Sequence, residues 1–253
     1  MMMNKNYNGL KNNPFKLIVL LMISSTAYFT FSCASSEIAD SKDVNQAKIY
    51  QSYTVHFDAE SPDSYNVTAQ FRFGGNKGTT LRLSAPSKVT VNDSEMEEKS
   101  DSFSGCYYQT NLKGLGEFNF KFIDTENKEF LNSVILNPVT AKVVELIDAD
   151  IKNSIYWEGL PLAAHETVCL TICDNEGNCA TGTTDIVGAD YVVISPSDMD
   201  NLVSGKGNYY LTRTYSNSIK NAADEGGNIY TDYKSVAVPV KIIKKPSQDT
   251  ANK

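Results

Sequence analysis

Phe118-Asn119-Phe120-Lys121-Phe122 sets three phenylalanines at every second position. Successive side chains of a strand point to opposite faces, so this stretch has one aromatic face and one polar face. Asp124-Thr125-Glu126-Asn127 follows with turn chemistry, and residues 130–136 can return beside it as the second arm of a hairpin. The same alternation holds at Tyr53, Val55 and Phe57. It recurs at Val67, Ala69, Phe71 and Phe73 and stops at Gly74-Gly75-Asn76. Shorter strands are predicted at 80–83 and 89–91, a charged exposed segment at 94–102, and a restart at Cys106. About seven short strands at this spacing predict a β-sandwich over residues 49–138.

Outward from this block the chain keeps the same character. It is rich in Tyr, Phe, Val, Thr and Asn, and contains neither heptads nor an amphipathic helix of useful length. Asn137-Pro138 closes the first block, and a second spans 139–245. Its predicted strands are 154–157, which carries the only tryptophan, a 168–173/179–184 hairpin, 191–194, 208–214 and 235–243. Ser195-Pro196 is a helix start, with Ser as N-cap and Pro at the first helical position, and the turn reaches Leu202 and stops at Gly205. Asp198 and Asp200 suit its first turn. Residues 221–228 read as a glycine-containing loop and 246–253 as a tail.

The order of strands in 141–244 resembles a fibronectin type III or related immunoglobulin-like domain. Trp157 sits where such domains carry a core tryptophan on an early strand. Leu202, Gly205 and Tyr209 resemble the Leu, Gly and Tyr that lead into a later strand, and Val236, Val238 and Val240 would end the domain. Arg213 stands where that pattern has an apolar residue. The first block is similar in style to immunoglobulin-like modules of exported bacterial lipoproteins. The resemblance implies an all-β protein of two tandem immunoglobulin-like or fibronectin type III-like sandwiches; fold of this kind gives no activity.

The N-terminus has a different composition. Lys5, Lys11 and Lys16 precede an uncharged run over residues 17–32 whose strongest apolar part is 17–23. A basic start, a short apolar middle and small residues before a cut describe a secretory signal peptide. The run is shorter and weaker than the roughly 20 apolar residues of a membrane-spanning helix. Thr30-Phe31-Ser32-Cys33 resembles a bacterial lipobox of the looser Bacteroidetes kind. That resemblance implies a signal peptide over 1–32 and a lipid (palmitate among its chains) on Cys33, anchoring the protein in the cell envelope, at the outer membrane or cell surface. Cleavage after Ala34 by an ordinary signal peptidase, giving a secreted or periplasmic protein, is the other reading. Residues 33–48 have little apolar content and read as a flexible tether.

Removing residues 1–32 takes away three lysines and no acids, leaving 20 basic and 30 acidic residues and a net charge of −10. Nucleic acid is thereby disfavoured as a partner. Apart from Cys33 four cysteines remain, and an even number in an exported chain reads first as disulfides. Cys173 and Cys179 flank the turn-forming Asp174-Asn175-Glu176-Gly177-Asn178, so a bridge there is reasonable. Cys106 and Cys169 would then pair with each other or stay as free thiols. Cys169, Cys173, Cys179 and His165 could also be weighed as zinc ligands. Cys169 and Cys173 lie about 13 Å apart on a straight strand, which argues against one shared ion, so no metal or other cofactor is expected.

Catalytic chemistry is hard to place. His56 and His165 are the two histidines, far apart in sequence, and no nucleophile elbow, phosphate loop or paired-histidine motif occurs. Tyr107-Tyr108, Tyr209-Tyr210, Tyr230 and Tyr233 cannot all be buried if strands alternate, and exposed tyrosines stack on sugars or form protein contacts. The expectation is a non-enzymatic, lipid-anchored envelope protein with a binding or structural role toward protein or glycan. A secreted carbohydrate-active protein, either a hydrolase or a glycan-binding subunit, is the alternative.

Overall fold

The computed structural model describes residues 35–62, 64–114 and 116–245. The signal segment, Cys33 and the tail lie outside them. The described part is nearly all β, without an α-helix among the described residues. In the first half the strands are β1 (Ile38–Asp40), β2 (Ile49–Asp58), β3 (Tyr65–Phe73), β4 (Thr79–Arg82), β5 (Lys88–Val91), β6 (Ser94–Glu95), β7 (Glu97–Asp101), β8 (Gly105–Leu112), β9 (Glu117–Ile123) and β10 (Glu129–Ile135). The second half has β11 (Thr140–Ala141), β12 (Leu146–Asp148), β13 (Asn153–Glu158), β14 (Glu166–Asp174), β15 (Cys179–Thr184), β16 (Tyr191–Ile194), β17 (Gly205–Ser218), β18 (Gly227–Lys234) and β19 (Val238–Ile243).

Two hydrophobic cores form. In the first, the four-stranded sheet β10-β9-β5-β6 covers β2, β3 and β8. The 118–122 stretch covers it: Phe118, Phe120 and Phe122 are all buried, and their rings meet the other sheet. Phe120 stacks on Tyr53 with centroids 4.5 Å apart, and Phe122 lies 4.3 Å from Phe71. Burying each such ring contributes about 1.5–3 kcal/mol. In the second core the three-stranded sheet β11-β13-β16 covers β15, β14, β17 and β19, with Trp157 and Tyr209 buried between them. Gly182 permits the close approach here, since a Cβ at that position would lie 2.7 Å from the Val193 carbonyl oxygen.

One sheet runs through both halves. The long strand β17 pairs with β14 along one side; along its other side it pairs first with β19 and then with β18. β18 pairs in parallel with β2, residues 227–234 against 51–58. A hairpin from the second half is therefore built into the first, and Ala223 and Ile229 belong to the first core. The contact at the seam is close: a Cβ on Gly227 would lie 2.2 Å from the Gln51 carbonyl oxygen and 2.6 Å from Ile219 Cδ1.

Two expectations change, and one open choice closes. The segment read as a flexible tether is ordered from Ser35 onward. Ser35 and Glu37 are held by their backbone carbonyls: Arg72 Nη1 donates to Ser35 O at 2.6 Å, and Thr80 Oγ1 to Glu37 O at 2.6 Å. β1 adds to β4, and the buried Gln46 closes the segment by donating to Ser41 O and Val44 O. Backbone hydrogen bonding fixes this stretch, so its low apolar content misled. The helix after Ser195 is a single 3-10 turn, Pro196–Met199, with Ser195 N–H donating to Asp198 Oδ2 at 3.0 Å. Finally, Cys173–Cys179 is bridged, but Cys106 and Cys169 are free thiols. Cys106 is buried in the first core. The alternation that buries Val168, Leu170 and Ile172 turns Cys169 to the other face of β14, so the two thiols belong to different environments.

Candidate binding face

The composite sheet has one face on the two cores and one face outward. Every strand in its middle keeps the alternation, so its register lays outward side chains in rows across both halves. One row runs Thr167, Thr214, Asp232, His56, Asn66, Asn111 over β14, β17, β18, β2, β3 and β8. The next runs Ser216, Tyr230, Thr54, Thr68, Gln109. A third holds Asn228, Ser52 and Gln70, with Tyr107 following on β8. On the other side lie Cys169, Thr212, Lys234 and Asp58. Most of these side chains are half-buried, as neighbours in a closely spaced polar array are.

His56 and Lys234 on this face both contact carboxylates. His56 Nδ1 contacts Asp232 Oδ1 across the parallel seam. Lys234 Nζ lies 3.2 Å from Asp58 Oδ2 and 3.4 Å from Glu60 Oε2, and 5.1 Å from the centre of the Tyr210 ring. Burial would lower the Lys234 pKa, but the two carboxylates outweigh it and raise the pKa above its ordinary value. Asp58 is held low, chiefly by the Glu60 backbone N–H and also by Lys234. Arg72, almost fully buried, donates from Nε and Nη2 to Gln70 Oε1 and from Nη1 to Ser35 O and Gly78 O. Gln70 in turn donates to Ser104 O at 2.7 Å and Cys106 O at 3.1 Å. Between these fixed groups is a shallow groove of about 240 Å³, lined by Ser52, Thr54, Thr68, Gln70, Ser104 and Tyr107.

The tyrosine pairs divide as alternation requires. Tyr108 and Tyr209 are buried, and each uses its hydroxyl inside. Tyr108 accepts from Leu83 N–H; Tyr209 donates to Lys142 O and accepts from Val144 N–H. Burial raises the pKa of both. Tyr107, Tyr210 and Tyr230 are on the outward face, while Tyr233 turns inward and stacks on Phe57 at 5.3 Å. Sequence reading missed Tyr50, which shares the outward face and donates to Asn228 Oδ1 at 3.2 Å. Its signal was present, since Tyr50, Ser52, Thr54 and His56 alternate with the buried residues of β2.

Two further polar constellations serve the fold. Arg213, placed where an apolar residue was expected, is buried and forms a two-pronged pair with Glu166, at 3.2 Å through Nε and 2.5 Å through Nη2. It also donates to Leu160 O and Pro161 O, and Glu166 accepts from Asn137 Nδ2 and Ala163 N–H. Burial pushes the Glu166 pKa up, but the bonds from Arg213, Asn137 and Ala163 together hold it below its ordinary value. Asp174 orders the disulfide hairpin. Burial would raise its pKa, but donors from the Asn178 side chain and the Val203, Asn178 and Glu176 backbone outweigh this and lower it to about 2. His165 has a left-handed backbone, φ 68°, and sets its ring edge-on to Tyr215 at 6.3 Å. Among the described residues no group of three or more His, Cys, Asp or Glu is placed to hold a metal ion.

No protein-family model and no curated protein matches the chain. Fourteen solved chains do. One is a tetra-tandem repeat from the extending region of a large adhesion protein, 13% identical, covering 75% of this chain and 49% of that one with a TM-score of 0.25. Another belongs to a 1.5-MDa bacterial ice-binding adhesin, 15% identical, covering 77% of this chain and 66% of that one with a TM-score of 0.24. The chain thus spans about half the length of the first and just under two thirds of the second. Likeness at these scores is partial and carries nothing about function.

Proposed function

We propose that the protein is a non-enzymatic recognition module displayed on the cell envelope, with the outward face of the composite sheet as its binding surface. The single observation that carries this is the register across the β2–β18 seam. It joins polar rows of the two halves into one face, across which His56 contacts Asp232 and Lys234 contacts Asp58. The groups that bring titratable side chains together have structural work: Glu166 with Arg213 ties the 159–166 loop to β17, and Asp174 orders a turn. In the second half, strand orders β11-β13-β16 and β15-β14-β17-β19 support the reading as a fibronectin type III-like sandwich.

The signal segment and Cys33 support display through an N-terminal lipid. Ser35 is already fixed by Arg72, so only Ala34 separates Cys33 from an ordered residue. Two residues span at most about 7 Å. A lipid on Cys33 would therefore hold the folded body close to the bilayer. Cys33→Ser is expected to release the protein from the membrane fraction; unchanged membrane association would remove the lipid-anchor part. For the face, beads carrying the mature chain or its Thr214→Lys variant are incubated with purified envelope polysaccharide and protein fractions. Retention that is lost in the variant is expected. Retention of every fraction unaltered by the variant overturns the binding-surface reading.

A further inference from the structure

We propose that the groove over β2, β3 and β8 is a subsite for a neutral polysaccharide chain. The proposal rests on the reading of the sheet face as a recognition surface and names its ligand.

The groove is built from hydroxyls with bonding capacity left over. Ser52, Thr54 and Thr68 line it and make no side-chain hydrogen bond to other described residues. Each hydroxyl offers one donor and two acceptor positions. They stand on adjacent strands in register, Thr54 beside Thr68 and Ser52 beside Gln70. Neighbouring strands are about 4.8 Å apart and alternate residues about 6.8 Å apart, so the three form a flat lattice of hydroxyls. Its floor is rigid, because Gln70 is held through both ends of its amide by Arg72, Ser104 and Cys106.

Rings flank this lattice. Tyr107 lines the groove on the β8 side, and Tyr230 stands beside Thr54 on the β18 side. From β8 to β18 is three strand spacings, about 14 Å. Aromatic rings at both ends with hydroxyls between suit a chain of sugar rings, whose apolar faces stack and whose hydroxyls bond. The volume of about 240 Å³ is below the roughly 300 Å³ at which enclosing pockets for small molecules begin. It fits a ring of a chain lying along the sheet.

Charge selects among polymers. Arg72 is covered and bonded through all three nitrogens, His56 contacts Asp232, Lys234 is paired with Asp58 and Glu60, and Lys99, beside Tyr107 on β7, is paired with Glu97. No charged side chain lines the groove. An anionic polysaccharide would meet no unpaired cation there, on a chain whose net charge without residues 1–32 is −10. A basic peptide would find no carboxylate in the lining, and an apolar segment would strand the hydroxyls.

The test is a glycan array of neutral and anionic oligosaccharides probed with the mature chain, followed by calorimetric titration of the neutral binders. At least one neutral class is expected to bind. Tyr107→Ala should weaken it tenfold or more, Tyr107→Phe should keep it, and Thr54→Val with Thr68→Val should weaken it as well. Tyr191→Ala on the three-stranded sheet should change nothing, and thermal unfolding of each variant checks that it folds. Binding of anionic members only, of no neutral member, or binding untouched by Tyr107→Ala overturns the proposal. A protein ligand lost in Thr214→Lys, with no glycan bound, overturns the glycan assignment alone. Loss of neither kind overturns the recognition reading too.

Discussion

Arg213→Met should be among the most damaging single changes in this chain. It leaves Glu166, almost fully buried, with two neutral donors, Asn137 Nδ2 and Ala163 N–H, in place of a two-pronged guanidinium. Breaking a buried pair by removing one partner costs about 3–5 kcal/mol. For a domain of this size each kcal/mol moves Tm by about 2–4 °C, so Tm should fall by about 6–20 °C. Glu166→Leu strands the cation instead and should cost a similar amount. The double variant strands neither charge, and its main loss is the bonds to Leu160 O and Pro161 O. Those carbonyls belong to an exposed loop that water can reach, so about 1–3 kcal/mol is expected, far below the sum of the singles. The pair should also confer acid sensitivity. The folded Glu166 pKa lies below its ordinary value, so its contribution is complete above about pH 4.3 and is lost as pH falls through the folded pKa. Urea denaturation of the four proteins, with m-values compared, measures the coupling. A single Arg213→Met cost under about 1 kcal/mol, or a double variant as costly as the sum, would refute the reasoning.

Other expectations follow from the same structure. Asp174 has a folded pKa of about 2 against about 3.9 unfolded, so the Tm difference between wild type and Asp174→Asn should be present at pH 5 and close between about pH 4 and pH 2; a pH-independent difference would contradict the assigned bonds. Gly227→Ala should destabilise by more than the roughly 1 kcal/mol of a typical point substitution, because the new methyl meets the Gln51 carbonyl. Hydrogen exchange should show protection lost along the β2–β18 seam first, and uniform loss would count against the seam being the point of damage. In native protein a maleimide should label Cys169 well before Cys106, which burial and a raised pKa both protect; peptide mapping that finds equal labelling would place Cys106 wrongly.

Much of this fold can be read locally. The Phe118, Phe120, Phe122 stretch became β9, its return became β10, and Tyr53 and Val55 face the core from β2, because alternation is a property of the chain next to itself. The tyrosine pairs at 107–108 and 209–210 divided into one buried and one outward residue for the same reason. Arg213 was unreadable as a buried residue, since its partner Glu166 is 47 positions away and the two meet only through the β14–β17 register. The ordered segment after Ser35 was missed because side-chain composition says little about carbonyls captured by a distant arginine.

Sequence alone determined that this is a β-rich chain with a basic and then apolar start, an acidic balance and a disulfide-ready loop at Cys173 and Cys179. Tertiary structure decided which strands meet. β18 pairs with β2 across 176 positions of sequence, and that pairing turns scattered Thr, Ser, Asn and Tyr residues into one outward face. Periodicity fixes the direction each side chain points, whereas register between distant strands follows from the packing of both cores at once.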